Sequence, residues 1–376
     1  IYGSTKYKKK FSKNYINISL TKKLFRSQSK DYVEKFKVFN DKNKSDIIEI
    51  NNRPNYIKHL LSLKTKLILY FHNDPLTMDG SSKTKERILL VDSCEKIIFN
   101  SEWSKKQFLK KLPQFYHKSK KFSVIHQSVN QKKINFKKKK KIITFVGKLN
   151  TAKGFDLFSK AIVKVLNDHP DWNAYVAGDE PREKIIAKHK NLINLGFQDH
   201  KNILRLFEKS SIAVTCSRWQ EPFGRTSLEA SSRGCAVIIS NKGGLPETIT
   251  DGVILRKLDV NNLYKSIKRL ILNPKQLKDL QNNSYKNFYL TDKFISSKID
   301  NYRNSLYKYD KPYVHNSKFK NDKLKILHIT NFNERHNGRL FYNTGKRINN
   351  GFIRLGHSVL EFSDRDIVSY YRSLND

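Results

Sequence analysis

The chain has 376 residues, 38% of them hydrophobic, so it is long enough to form two or three domains with cores of their own. The formal net charge is +40, but the lysines are spread along the chain without a nucleic-acid recognition motif, so we predict no nucleic-acid partner. No apolar run approaches the ~20 residues that cross a bilayer, and three scattered cysteines favour a reducing cytoplasm over a zinc site or disulfides.

Short apolar runs alternate with helical stretches in the first third of the chain, which predicts βαβ units around a parallel sheet. The predicted strands are residues 45–50, 66–71, 96–100 and 122–126. The predicted helices are residues 55–63, 83–92 and 104–111. His72 and the polar residues after it follow the second strand, where an α/β sheet faces its ligand crevice.

A second series of alternating strands and helices follows the basic run at 137–141, which we interpret as a solvated linker. Its predicted strands are residues 142–147, 172–177, 191–195, 212–216 and 236–240. Its predicted helices are residues 155–166, 203–209, 226–233 and 261–272. This series makes one complete doubly wound domain.

The last part of the chain begins with a long polar helical stretch at 285–309. A strand at 325–330, a polar loop at 331–338, a helix at 344–355 and a strand at 358–362 are predicted after it. A lone β-α-β unit cannot bury its own faces, so it either opens another domain or docks onto an existing one.

The segment at 221–229, Glu-Pro-Phe-Gly-Arg-Thr-Ser-Leu-Glu, is the most informative motif in the chain. Pro222 and Gly224 predict a turn between a strand and a helix. Thr226 and Ser227 then lie at the helix start, where free backbone N–H groups suit a phosphate. The glutamates at the two ends can face one cavity and accept hydrogen bonds from sugar and ribose hydroxyls.

An earlier strand-to-helix turn at 145–154 is a second candidate anion site. Gly147 lets the backbone approach a ligand, and Lys148 and Lys153 can neutralise a diphosphate. The alternative is an ordinary glycine turn in a basic protein.

These segments together resemble the family 4 glycosyltransferases, which have the GT-B architecture. The resemblance rests on Glu221 and Glu229 as an E-x7-E pair, on Gly-Lys-Leu at 147–149 with Lys-Gly at 153–154, and on Gly-Gly-Leu-Pro-Glu at 243–247. It is strong over 141–274 and looser over 1–131. The fold class that it implies is α/β, with two Rossmann-like domains facing a cleft.

The resemblance also implies roles for individual residues. Glu221 would contact the transferred sugar, Glu229 the ribose, and Lys148 and Lys153 the diphosphate, without a metal ion or cofactor. His72 would contact the sugar or orient the acceptor; the alternative is that it only caps its strand. The catalytic candidates are His72, Glu221 and Lys153. The donor-binding candidates are Gly147, Lys148, Lys153, Gly178, Phe197, Phe223, Gly224, Arg225, Thr226, Ser227 and Glu229.

Several of these assignments have alternatives. Gly178 and Phe197 fall where the family lines its base pocket, but both also fit ordinary turns. Lys148 stands where the family usually has Arg, which keeps the charge but loses a bidentate fork. Arg225 stands where an aliphatic residue is common, and would add a phosphate or acceptor contact.

The predicted domains are an acceptor-side domain at 1–133, without its first strand and helix, and a donor-binding domain at 134–275. Helices at 276–310 would pack back on the first domain, followed by a linker at 311–323. We predict that 324–376 is the opening β-α-β of a further glycosyltransferase-like domain, because 358–362 would duplicate a strand that ends at 1–3. The rival interpretation docks this unit in place of the missing elements, as in a circular permutation.

The predicted function is retaining transfer of a sugar from a nucleoside-diphosphate sugar to a glycan or lipid-linked acceptor, as in surface polysaccharide or lipopolysaccharide synthesis. The protein would be cytoplasmic, with the positive charge favouring contact with an anionic membrane surface. The enzymatic alternative is a GT-B phosphorylase or sugar-phosphate synthase. The alternative from another class is a non-catalytic nucleotide-sugar-binding or scaffold module.

Overall fold

The computed structural model of the protein describes residues 2–3, 16–17, 28–42, 44–63, 65–183, 185–308, 323–330 and 344–363. The chain divides into two compact units, one made of 1–125 with 296–376 and the other of 126–295. The loop predicted at 331–338 and nearly all of the linker predicted at 311–323 lie outside the described residues.

The N-terminal part of the chain contributes most of the first unit. Its strands are β1 (Tyr2–Gly3), β2 (Ile16–Asn17), β3 (Ile47–Asn51), β4 (Lys66–Phe71), β5 (Lys96–Phe99) and β6 (Phe122–Val124). Its helices are α1 (Gln28–Lys42), α2 (Ile57–Leu60), α3 (Thr84–Ser93), α4 (Glu102–Leu109) and α5 (Gln114–His117). Strands β3 to β6 lie side by side and parallel. The predicted βαβ series is therefore confirmed in this part.

The second unit is a complete doubly wound domain. Its strands are β7 (Lys140–Val146), β8 (Asn173–Ala177), β9 (Leu192–Asn194), β10 (Ser210–Thr215), β11 (Ala236–Ser240) and β12 (Val253–Leu255). Its helices are α6 (Phe155–Asp168), α7 (His200–Lys209), α8 (Arg225–Ser232), α9 (Val260–Leu272) and α10 (Pro274–Lys286). Among the described strands, the sheet order is β12-β11-β10-β7-β8-β9, all parallel. The strand order therefore reverses between β10 and β7, where α/β sheets bind ligands at their carboxyl edge.

The second sheet is buried on both faces, as expected of a parallel sheet covered by helices. Successive residues of β10 point to opposite sides: Ile212 and Val214 pack with α6 and α9, while Ala213 packs with α7 and α8. Because helices pack on both faces of the sheet, the positions of the strand ends are fixed, and with them the starts of the loops that follow.

The C-terminal part of the chain returns to the first unit. It forms α11 (Asp292–Lys308), β13 (Lys325–Ile329), α12 (Thr344–Arg354) and β14 (Ser358–Phe362). Strand β13 pairs in parallel with β3, from Ile326 opposite Ile47 to Ile329 opposite Ile50. The first sheet therefore reads β14-β13-β3-β4-β5-β6 over the described strands.

This pairing corrects the prediction that 324–376 opens a separate domain. The β-α-β unit instead covers the edge of β3, which would otherwise expose unpaired backbone groups and an apolar strand. Strand β14 duplicates no strand, because β1 pairs with β2 in a small sheet of its own. Over the described residues of 323–363, the unit is docked onto the first sheet rather than set apart from it.

Helices α10 and α11 correct a further prediction, that all of 276–310 packs on the first domain. Helix α10 stays in the second unit, where the Gln281 amide donates to the Ser211 carbonyl at 3.0 Å and the Ser284 hydroxyl to the Cys235 carbonyl at 3.0 Å. Only α11 joins the first unit. Its Arg303 donates to both oxygens of the buried Glu49 carboxylate on β3, at 2.7 and 3.0 Å.

The basic run at 137–141 is not simply a solvated linker. The Lys139 ammonium group donates to the carbonyl oxygens of Phe207, Ser210 and Arg233 at 2.7–2.8 Å. Burial lowers the pKa of Lys139. Among the described helices, none combines the length and apolar character needed to span a bilayer.

Candidate functional site

Three glycines at the carboxyl edge of the second sheet form a bare backbone surface. Gly147 and Gly178 directly follow β7 and β8, and Gly196 comes two residues after the end of β9. The Gly147 N–H donates to the Ala177 carbonyl at 3.0 Å, and the Gly178 N–H to the Gly196 carbonyl at 2.8 Å. A Cβ atom on Gly178, whose φ is 137°, would lie 1.8 Å from the Gly147 carbonyl oxygen. Only glycine fits at residue 178, and the three glycines place no side chain over this edge, which leaves it open to a ligand.

The loop after β7 approaches the loop after β10 through Gly154, the residue before α6. A Cβ atom on Gly154 would lie 2.0 Å from the carbonyl oxygen of Cys216. This close approach brings the Lys153 ammonium group into an ion pair with Glu221. The same Glu221 oxygen accepts a hydrogen bond from the Ser217 hydroxyl at 2.9 Å. The two motifs predicted to converge therefore meet at this pair.

The turn that begins at Glu221 is held by the Gly-Gly pair of the 243–247 motif. The Gly244 N–H donates to the Glu221 carbonyl at 2.6 Å. Gly243 has φ 61°, and a Cβ atom there would lie 2.1 Å from the same oxygen. The second glycine motif thus positions the backbone of the first acidic residue.

Helix α8 starts immediately after this turn. No side chain caps its N-terminus, and its N-cap Gly224 has φ 121°. The Ser227 hydroxyl bonds to the Gly224 carbonyl at 2.9 Å and to the Thr248 hydroxyl at 2.7 Å, so this residue can offer a ligand only its backbone N–H. Thr226 is partly exposed beside it. The helix start therefore presents backbone donors, and the positive end of the helix dipole, to an anion.

Phe223 supports the turn from inside the protein. It is buried, and its ring stacks on the His126 ring with the centroids 5.4 Å apart. His126 in turn bonds to the Glu247 carboxylate at 3.0 Å. The Phe223 side chain is therefore occupied in packing, and contact of its backbone with a ligand remains a prediction.

Glu229 is fully buried on α8 and has two partners that the sequence did not reveal. Its Oε1 atom accepts from His200 Nε2 at 3.0 Å and from Arg225 Nη2 at 3.1 Å. Arg225 also donates to the Ser128 carbonyl at 3.3 Å. Arg225 was predicted to contact a phosphate or the acceptor. In the structure its side chain instead binds Glu229, one helical turn away.

Two other donor-site candidates are open to solvent. Lys148 is exposed and forms none of the ion pairs found in the described part of the chain. Phe197, next to Gly196 at the end of β9, is 39% exposed. A charged and an aromatic side chain thus flank the glycine edge, in positions that a ligand can reach.

His72 belongs to the first unit and lies at the carboxyl end of β4. Its Nε2 atom bonds to the Asn51 side-chain oxygen at 2.8 Å. Its backbone N–H donates to the Asn52 side chain at 3.1 Å, and its carbonyl accepts from Asn100 at 2.9 Å. The predicted polar edge of the first sheet is therefore a hydrogen-bonded cluster drawn from three adjacent strands. Within the described residues, no group of three His, Cys, Asp or Glu side chains could hold a metal ion.

Comparison with known proteins finds a family match within the second unit. Residues 126–287 match the family described as "Glycosyl transferases group 1". The spore coat protein SA of Bacillus subtilis is 26% identical over 244 residues, covering 56% of this chain and 64% of that protein. The lipopolysaccharide core biosynthesis mannosyltransferase LpsB of Rhizobium meliloti is 31% identical over 123 residues, covering 30% of this chain and 35% of that protein. The chain therefore spans less than two thirds of either relative.

Solved structures are similar over a larger share of the chain. A glycosyltransferase from Rickettsia africae matches with a TM-score of 0.64 and 18% identity, covering 78% of this chain and 86% of that one. The Anabaena protein HepE, solved in complex with UDP-glucose, matches with a TM-score of 0.60 and 17% identity, covering 72% of this chain and 81% of that one. These structural similarities, with the two parallel sheets of this chain, confirm the predicted fold of two Rossmann-like halves.

Proposed function

We propose, on the premise that residues 126–287 form a glycosyltransferase group 1 domain, that the protein is a retaining glycosyltransferase using a nucleoside-diphosphate sugar. The observation that carries this proposal is the ion pair of Lys153 with Glu221, in the unit whose helix α8 has an uncapped N-terminus. A cation, a carboxylate and free backbone donors are the groups that a sugar diphosphate needs. The complex of HepE with UDP-glucose supports this donor class.

Catalysis in this proposal comes from stabilising the departing diphosphate. Negative charge develops on the leaving phosphate as the glycosidic bond breaks, and Lys153, Lys148 and the first N–H groups of α8 would compensate it without a metal ion or cofactor. Glu221, already an acceptor for Ser217, would accept hydrogen bonds from sugar hydroxyls. It would not act as a nucleophile, so the acceptor would attack on the face that the diphosphate leaves.

The acceptor in this proposal is a glycan or a lipid-linked glycan of a surface polysaccharide or lipopolysaccharide. The similarity to LpsB supports that substrate class. His72 would contact the transferred sugar or orient the acceptor hydroxyl, because the cluster around it supplies donors and acceptors at a sheet edge.

We also propose that the first unit contacts an anionic membrane surface from the cytoplasmic side. Phe115 on α5 exposes 70% of its surface, and its ring lies 4.2 Å from that of Tyr116. The surrounding segment at 103–121 contains seven lysines and no acidic residue. An exposed aromatic side chain within a lysine-rich segment is suited to the boundary between headgroups and acyl chains.

Turnover by site variants tests the enzymatic proposal. Replacement of Lys153 by Ala should lower kcat/KM for release of nucleoside diphosphate by about 100-fold, the loss typical for one group that stabilises a leaving oxyanion. Glu229→Gln should also lower it. Lys160→Ala, which removes an exposed lysine of α6, is the matched control and should leave turnover unchanged.

The assay should use UDP, GDP and ADP sugars with glycan, inorganic phosphate and sugar-phosphate acceptors. Transfer to phosphate or a sugar phosphate would instead favour a phosphorylase or synthase. Nucleotide binding without turnover on any acceptor would favour a binding module. Wild-type turnover in either the Lys153 or the Glu229 variant would contradict the site.

A further inference from the structure

The buried carboxylate of Glu229 is held by two donors on two different elements. Arg225 comes from the same helix, one turn earlier, and its side chain is 9% exposed. His200 is the first residue of α7 and its side chain is 13% exposed. Both donate to the same oxygen, Oε1. A carboxylate oxygen only accepts, so the His200 imidazole is the donor in this contact.

Two donors on one oxygen restrict the rotation of the carboxylate. The last torsion of a glutamate side chain is broad, so the carboxylate of a buried Glu does not by itself keep one orientation. Arg225 is fixed in turn by its bond to the Ser128 carbonyl, at 3.3 Å. The plane of the Glu229 carboxylate is therefore set by contacts from α7, α8 and the segment at residue 128.

The location of His200 links this carboxylate to a second part of the candidate site. Only three residues separate it from Gly196, and Phe197 lies within that interval at the end of β9. The Gln198 amide ties the loop to the Leu195 carbonyl at 2.7 Å. The same short loop thus carries the exposed ring expected to face the base and the imidazole that holds Glu229.

We propose that His200 and Arg225 are positioning residues that orient the Glu229 carboxylate toward the ribose hydroxyls of the donor. This inference rests on the proposed function, and deepens it by naming the source of selectivity for ribonucleotides over deoxyribonucleotides. A well-oriented carboxylate accepts hydrogen bonds from a vicinal diol, and a nucleotide without the diol cannot form them. A merely structural role, in which His200 ties α7 to α8, predicts no dependence on the sugar hydroxyls.

Nucleotide titration of the full-length chain separates these roles. The dissociation constants of UDP, GDP and ADP are compared with those of their 2′,3′-dideoxy forms by calorimetry. Wild-type protein should bind the ribose form of its preferred nucleotide about tenfold more tightly. His200→Ala and Arg225→Met should weaken binding of the ribose form by a similar factor and leave the dideoxy form unchanged. Asn202→Ala, an exposed change in the same turn of α7, is the control.

Two amide variants keep the test decisive if His200→Ala does not fold. His200→Gln places its amide nitrogen at the position of Nε2 and should retain the preference for ribose. His200→Asn is one carbon shorter, cannot reach Glu229 and should lose the preference.

Equal loss for the ribose and dideoxy forms, or no loss for either, would overturn the positioning role. Nucleotide binding by the wild-type chain would still support the donor site in that case. If the wild-type chain binds none of the three nucleotides, the proposed function fails, and the positioning role fails with it.

Discussion

Lys139 lies in the basic run at 137–141, and its ammonium group is a buried donor to three backbone carbonyl groups. Lys139→Met should lower the free energy of unfolding of the second unit by about 2 kcal/mol, since it leaves those buried carbonyl groups without their donor. Lys138→Met, at an exposed position next to it, should change stability by less than about 0.5 kcal/mol. Denaturant unfolding measures both variants. Equal effects would mean that the Lys139 ammonium group is not held as described.

Two side-chain contacts show why only part of the site could be predicted. The sequence predicted that Lys153 and Glu221 converge on one ligand, because each lies in a glycine turn between a strand and a helix, and the structure pairs them. The contact between His200 and Glu229 was not predicted, because it depends on how α7 packs beside α8. No local pattern of one helix encodes the side chain that a neighbouring helix places against it.

At the scale of elements, buried strands were the most predictable parts of the chain. Strands β4, β11 and β14 have the predicted bounds, because each is a short apolar run between polar turns. Helix α1 was not predicted, although Tyr32, Val33 and Phe36 give it a buried face. The helical stretch predicted at 285–309 is interrupted, with α10 ending at Lys286 and α11 starting at Asp292. Polar sequences with few apolar positions give too weak a periodicity to locate such ends.

Strand β13 carries a histidine whose titration reports on its burial in the first sheet. His328 is fully buried, and burial lowers its pKa to about 3, with smaller electrostatic contributions from His72 and Arg303 in the same direction and an opposing hydrogen bond to the Asn349 side-chain oxygen. Between that pKa and the usual 6.5, the unfolded chain binds a proton that the folded chain does not. Stability should therefore fall as the pH drops below 6.5, by about 2 kcal/mol between pH 8 and pH 5.

His328→Gln removes this titration while keeping a polar side chain. Denaturant unfolding of the first unit at pH 8 and pH 5 should show a smaller loss of stability in this variant than in the wild-type chain. His117→Gln, on α5, should retain the wild-type dependence. The same pH dependence in wild type and His328→Gln would contradict the burial of β13 between β3 and β14.

For the whole molecule, the sequence predicted two Rossmann-like halves but not the path of the chain between them. The apolar pattern of the C-terminal β-α-β shows that its faces must be buried but not against which sheet, so patterning alone could not decide between a separate domain and a docked one. The pairing of β13 with β3 joins residues that are far apart in the sequence, such as Ile326 and Ile47, so no local pattern encodes it. The C-terminal unit therefore belongs to the same sheet as His72.

Vesicle binding tests whether the molecule contacts membranes through the first unit, as proposed. The chain should sediment with vesicles that contain anionic phospholipid and not with neutral phosphatidylcholine vesicles, and 0.5 M salt should weaken the binding. Phe115→Ser should reduce binding several-fold, because it removes the exposed ring. Leu272→Ser removes an exposed apolar side chain of the second unit and is the control. Equal binding of both variants would exclude the Phe115 segment as the contact.

The most direct measurement for the central claim is a crystal structure of the chain with the nucleoside diphosphate that it binds most tightly. We expect density for the diphosphate at the backbone N–H groups that open α8, within hydrogen-bonding distance of the Lys153 ammonium group, and for the ribose beside Glu229. A diphosphate bound elsewhere, with these groups still contacting only each other, would contradict the proposed donor site.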